Sequence, residues 1–164
     1  MNEKFVISIS AEDKKGLLGL VTAFFNRKNF PIESLNVSRT DIRDTVLITL
    51  EVMAPAMEID NLLRKLEKII EVYKAVALPA DANPLPKMAF FHVASTLLHH
   101  PSWALVQKHG ITIRHIFKDS IMLEKVGTDD DILSLYNQLD GVHLLHFCKT
   151  ALISEHSFVQ LDEV

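Results

Sequence analysis

Cysteine, tryptophan, glycine and proline are all scarce in this chain. Cys148 is the one cysteine in 164 residues; an internal disulfide is excluded, and a reducing compartment such as the cytoplasm is the expected setting. Five glycines and six prolines are too few for a low-complexity chain. No apolar run approaches the roughly 18 residues of a membrane-spanning helix. The segment Met1 to Ser10 alternates polar and apolar residues, without a basic stretch leading into a long apolar one, so no secretory signal is expected. A net charge of −4 and a pI near 6.0 supply no excess of cations for a nucleic-acid backbone or an anionic membrane. No histidine precedes His92. What is present is mostly apolar: 48% hydrophobic against 23% charged residues, enough to pack one ordinary domain or two small ones.

The periodicity divides the chain into two similar halves. Phe5, Ile7 and Ile9 alternate with polar or smaller neighbours, as a strand with one buried face does. After Glu12 to Gly16 the period lengthens, and Leu17, Leu20, Val21 and Phe24 fall at helical spacing. Phe30-Pro31 closes that helix, because proline disfavours helical geometry before it. Strands are predicted over Ile32 to Arg39 and Thr45 to Met53 around a polar hairpin, then a helix from Ile59 to Ile70 and a strand from Val72 to Leu78. The order β-α-β-β-α-β with right-handed crossovers predicts a four-stranded antiparallel sheet with both helices on one face, a ferredoxin-like domain over 1–78. Residues 79–86 hold three prolines and read as a stiff linker. The rhythm then returns over 87–164: strands at Lys87 to Ala94, Ile111 to Phe117, Ile121 to Val126 and Val142 to Ile153. Helices are expected over Ser102 to His109 and from Asp129 or Asp130 to Leu139, and a frayed tail after Ser154. The fold class is α+β, two ferredoxin-like domains in tandem.

Several residues invite a chemical reading and favour a plainer one. Gly16 and Gly19 flank a helix start but lack the lysine and hydroxyl of a phosphate loop. The pair Phe24-Phe25 is one aromatic more than a single buried face needs, so one of them is a candidate for a dimer contact. His143 and His146 differ by three, and on a strand would point to opposite faces. His99 and His100 are adjacent, and no metal-ligand spacing appears. His92 and His115 are candidates to meet across neighbouring strands. Cys148 shares a strand face with His146, yet residues two apart on a strand diverge too far for good proton transfer, so a buried structural cysteine is expected. Asp129-Asp130-Asp131 suits a helix amino terminus, and Arg64, Lys65 and Lys68 a solvated helix face. No catalytic set, metal site or cofactor site is expected.

The run from Gly16 to Val37 resembles the ACT-domain signature of acetolactate synthase regulatory subunits. That signature has a glycine opening the first helix, a phenylalanine near its end, a basic residue, and then N-I-E-S-L-x-V; Phe24, Arg27, Ile32, Glu33, Ser34, Leu35 and Val37 stand at matching positions. The resemblance covers about residues 4–78, and beyond the linker it extends only as architecture. It implies a non-catalytic homodimer, paired through its ACT domains. Such a dimer activates the catalytic large subunit of a thiamine-diphosphate-dependent acetolactate synthase in branched-chain amino acid biosynthesis, the cofactors belonging to that partner. It further implies an effector (valine, leucine or isoleucine) held between the loop before the first helix of one chain and the start of the second strand of the other. Carried over, the effector-binding positions are Asp13, Gly16, Leu17, Pro31 and Ile32. Unpaired N–H groups at a helix amino terminus favour a carboxylate, and a glycine there allows close approach. Two positions depart from the pattern: Asp13 and Pro31 stand where the family has asparagine, removing donors and adding a charge. Retained effector binding and lost or altered binding both stay open. A free-standing amino-acid-binding ACT regulator of another enzyme is the second reading. An enzyme using His92, His115 or Cys148 is the third.

Overall fold

The computed structural model describes residues 1–157. The chain forms two compact units, one of Met1–Leu85 together with the segment from Ile153 onward, the other of Pro86–Leu152.

The first unit runs β1 (Asn2–Glu12), α1 (Leu17–Arg27), β2 (Ile32–Arg39), β3 (Thr45–Pro55), α2 (Ala56–Leu66) and β4 (Val72–Pro79), with strand order β2-β3-β1-β4 and every pair antiparallel. Alternation decides the buried face. Phe5, Ile7, Ile9 and Ala11 on β1 and Val46, Ile48, Leu50 and Val52 on β3 point the same way. Leu17, Val21 and Phe25 of α1 and Ile59, Leu62 and Leu66 of α2 cover them. Both helices therefore lie on one face, as the periodicity predicts. Phe25 is fully buried and Phe24 half-buried against the same core. Asn29, at φ 55°, reverses the chain after α1, and the Phe30 N–H donates to the Phe25 carbonyl at 3.0 Å; this closes the helix before Pro31 is reached. The second helix starts earlier and ends earlier than its apolar spacing suggests. Tight turns (Ile69 N–H to Leu66 carbonyl and Val72 N–H to Ile69 carbonyl, both 3.0 Å) replace its last helical turn, and Ile70 is left exposed.

The second unit comprises β5 (Lys87–Ala94), a short 3₁₀ turn (Ser95–His99), α3 (Trp103–Gln107), β6 (Thr112–Ile116), β7 (Ser120–Gly127), α4 (Asp129–Leu139) and β8 (Leu144–Ala151), in the order β6-β7-β5-β8. Ala89, Phe91, Val93, Ile121 and Leu123 pack under Val106, Ile132, Leu135 and Leu139. Ser95–His99, which has no clear period in sequence, is the 3₁₀ turn. Neither Asp129 nor Asp130 caps α4. Thr128 does, its hydroxyl accepting from the Asp131 N–H at 3.2 Å while Asp131 Oδ2 accepts from the Thr128 N–H at 2.9 Å.

The expected boundary at 87–164 needs correction at its end. The second unit stops at Leu152, because the chain then returns to the first: Ser157 is buried, and its hydroxyl lies 2.7 Å from that of Ser8 on β1. Up to Ser157 the tail is packed, not frayed; the rest of that expectation, 158–164, lies outside the described residues. Residues 79–86 are not a bare linker either, since Ala80 and Leu85 are buried and the Ala80 N–H donates to the Lys4 carbonyl at 3.0 Å.

Candidate functional site

The loop Asp13 to Gly16 enters α1 through Gly16, whose φ of 89° places it in the left-handed region where glycine carries no Cβ penalty. No side chain caps the helix, and a Cβ built on Gly16 meets nothing within 4 Å. The Leu17 N–H is already bonded to the Lys14 carbonyl at 3.1 Å. Leu18 and Gly19 follow in the first turn, whose N–H groups lack intrahelical acceptors. The result is an open, positively polarised helix end bordered by exposed backbone.

Asp13 is held from two sides. Its N–H donates to the Asp44 carbonyl at 2.8 Å, and its carboxylate pairs with Arg39 Nη1 at 3.1 Å. Arg39, at the far end of β2, thus offsets the charge that Asp13 brings to the loop. No sequence spacing links these two residues. Leu17 contributes little to any open cleft through its side chain, which is buried in the core.

Pro31 and Ile32 lie elsewhere. Ile32 stands opposite Val52, itself opposite Phe5, whereas the loop before α1 leaves the sheet where Glu12 stands opposite Thr45. At about 3.3 Å per residue, the two places are on the order of 20 Å apart at opposite ends of one sheet. Within a single chain Asp13, Gly16 and Leu17 are brought together, and Pro31 with Ile32 is not brought to them. Pro31 is exposed, with its carbonyl accepting from the Met53 N–H at 3.0 Å; Ile32 is half-buried against the core.

The second unit rearranges the histidines. His92 and His115 are on β5 and β6 with β7 between them, both opposite Met122, so they do not meet across neighbouring strands. His92 stacks instead on His146 of β8, ring centroids 5.7 Å apart, and its Nε2 lies 2.8 Å from the Ser120 hydroxyl. His143 precedes β8, is buried, and lies edge-on to His100 at 4.7 Å. Among the described residues no group of three or more His, Cys, Asp or Glu side chains is gathered as a metal ion requires. Cys148 is exposed, not buried, because it sits on edge strand β8 on the face away from the helices, opposite Phe90. No helix among the described residues is long and apolar enough to cross a membrane.

Two βαββαβ units in tandem, the first with a glycine-opened helix and an exposed edge strand beginning at Pro31-Ile32, define an ACT-type architecture. A family model of the AHAS small subunit-like ACT domain matches residues 7–74. The acetolactate synthase small subunit of Mycobacterium bovis is 39% identical over 149 residues, covering 90% of this chain and 89% of that one. A probable acetolactate synthase small subunit of Archaeoglobus fulgidus is 23% identical over 161 residues, covering 92% and 95%. The crystal structure of the acetolactate synthase small subunit from Thermotoga maritima shares the fold at a TM-score of 0.80 and 19% identity, over 92% of this chain and 95% of that one. The chain belongs to the acetolactate synthase small-subunit family.

Proposed function

We propose that the chain is a non-catalytic regulatory subunit that pairs with a second copy through its ACT unit. The pair activates the catalytic large subunit of a thiamine-diphosphate-dependent acetolactate synthase in the cytoplasm and responds to a branched-chain amino acid. The observation that carries this reading is the placement of the Gly16 loop and Pro31-Ile32 at opposite ends of one sheet whose edge strand, β2, has no neighbour on its outer side. A two-fold axis beside β2 joins the edges of two sheets and sets the Gly16 end of each chain against the Pro31 end of the other, giving two equivalent clefts. Val37 on β2 and Leu18 and Leu20 on α1 are exposed apolar groups suited to such a seam. In each cleft the helix end receives the effector carboxylate, and Ile32 meets its apolar side chain. Burial of that side chain contributes about 1.5–3 kcal/mol. The exposed Asp13–Arg39 pair offsets part of the repulsion that an isolated Asp13 carboxylate would exert.

Thermal-shift titration with valine, leucine and isoleucine tests the effector site. Ligand at about 100 times its Kd raises stability by about 2.7 kcal/mol, and Gly16→Asp, which sets a carboxylate at the helix end, is expected to abolish the shift. No shift with any of the three in a folded dimer removes effector sensing and leaves activation alone. Co-purification with a synthase large subunit, and a rise in its turnover on mixing, test the partner. Failure of both leaves a free-standing regulator of another enzyme.

A further inference from the structure

The second unit leaves one edge of its sheet bare. β6 has β7 on one side and, among the described residues, no strand on the other, and all five of its residues are exposed. β2 holds the same place in the first sheet but has half-buried side chains along its length. The difference comes from the helix that follows the first strand of each unit. α1 has eleven residues and α3 has five, so α3 is too short to cover β6 as α1 covers its own sheet. Ile113 stands opposite the buried Leu123 on the helix side and is still 44% exposed; Ile116 is 68% exposed. A groove of about 170 Å³ lined by Trp103, Gln107, Ile111 and Ile113 lies between α3 and the strand. An edge of this kind presents a row of backbone donors and acceptors to any extended chain, and no proline guards it.

Charge decides what the edge accepts. The chain as a whole carries −4, yet Lys108 to Lys118 holds three cations (Lys108, Arg114 and Lys118), two imidazoles and no carboxylate. Two acids follow, Asp119 and Glu124, and Glu124 is paired with Arg114 at 3.2 Å. Lys108 and Lys118, both exposed, bracket the strand at its two ends. A second copy of β6 fits this edge badly. Antiparallel pairing of two such strands would set Lys108 of each beside Lys118 of the other, and like charges across a strand pair are unfavourable. A strand with acidic ends meets no such conflict.

We propose that β6 takes an added strand from the catalytic large subunit: an extended apolar segment flanked by acidic residues. The inference rests on the regulatory-subunit reading above and gives that partner a docking edge separate from the ACT seam at β2. Main-chain hydrogen bonds to the open side of β6 hold the segment. One apolar side chain on the helix side enters the groove beside Trp103 and Ile113, another covers Ile116, and the flanking carboxylates meet Lys108 and Lys118.

The test is amide hydrogen exchange of the full chain, alone and in complex with a synthase large subunit, together with the affinity of that complex. Exchange over Thr112–Ile116 is expected to slow at least tenfold in the complex and not in the small subunit alone. Ile116→Glu and the pair Lys108→Glu with Lys118→Glu, all at exposed positions, are expected to weaken association at least tenfold, with the melting temperature of the free chain unchanged. Ile116→Lys, which sets no like charge against the segment, is expected to weaken it less than Ile116→Glu. Unchanged exchange at β6 in a formed complex, or charge-reversed variants that bind as the parent does, overturn the proposal and leave the regulatory reading standing. Slow exchange at β6 already in the small subunit alone assigns the edge to a second copy and overturns it too. Failure of the parent chain to bind the large subunit at all overturns both.

Discussion

Thr128 and Asp131 exchange two hydrogen bonds at the start of α4, and Gly127 makes room for them: a Cβ there would come within 2.8 Å of Asp131 Oδ2 and 3.0 Å of its Cβ. Thr128→Ala is expected to cost about 1 kcal/mol in chemical unfolding, and Gly127→Ala to weaken the same cap by displacing Asp131. Because both act on one interaction, the double variant should lose markedly less than the sum of the two, and full additivity would show the cap is not the cause. The Thr128 backbone N–H, and after it the Thr128 hydroxyl, hold the Asp131 carboxyl below its ordinary pKa of 3.8. A depressed acid stabilises the fold above its unfolded pKa, and that contribution fades as pH falls through the acid range below about 4. Of the two Thr128 groups the N–H acts more strongly and survives in Thr128→Ala, so it is Asp131→Asn, which removes the titrating group, that should show a smaller loss of stability between pH 5 and pH 2 than the parent. Gly16 is constrained differently. Its φ of 89° disfavours any other residue, while the empty space above it leaves the helix end open; Gly16→Ala is expected to cost about 1–2 kcal/mol through backbone strain alone.

Among the elements, β2 carries the proposed pairing. It has β3 on one side only, and Val37, whose face continues the core side of the sheet, is 46% exposed because the edge ends there. Val37→Lys places a charge in the seam at a position the single chain does not bury, so the chain should fold as before. Sedimentation velocity is expected to show dimer dissociation at least tenfold increased, with loss of any effector response in the same concentration range. An unchanged dimer would move the seam away from β2. Element placement also shows where periodic reading succeeds. The strands alternate so regularly that β1, β3 and β5 are visible from Phe5-Ile7-Ile9, Val46-Ile48-Leu50 and Ala89-Phe91-Val93. The end of α2 is not, because Ile69 and Ile70 keep helical spacing although the backbone has already turned toward β4.

For the molecule as a whole, the closing segment is a component of the first unit although it follows the second in the chain. Deleting residues 153–164 removes the Ser8–Ser157 contact. Hydrogen exchange is expected to quicken in β1 and β3 and to stay unchanged in β5 and β7; the opposite pattern would assign the segment to the second unit. Much of the architecture follows from the sequence read alone. Two β-α-β-β-α-β series emerge because strand and helix periods are local properties, and the Gly16 to Val37 run marks the ACT unit because its residues are consecutive. The cap at Thr128 was also within reach, as a threonine three residues before an acid. The partner of Asp13, the true neighbour of His92, the exposure of Cys148 and the return of Ser157 to β1 could not be read in this way. Each is set by strand order or by a contact between residues far apart in the chain, and linear spacing carries no information about which strand lies at an edge. The amino-acid order thus determines the elements, their buried faces and the family; only the packed fold decides which of those faces and ends meet, since that depends on the sheet's sequence of neighbours and not on any single strand.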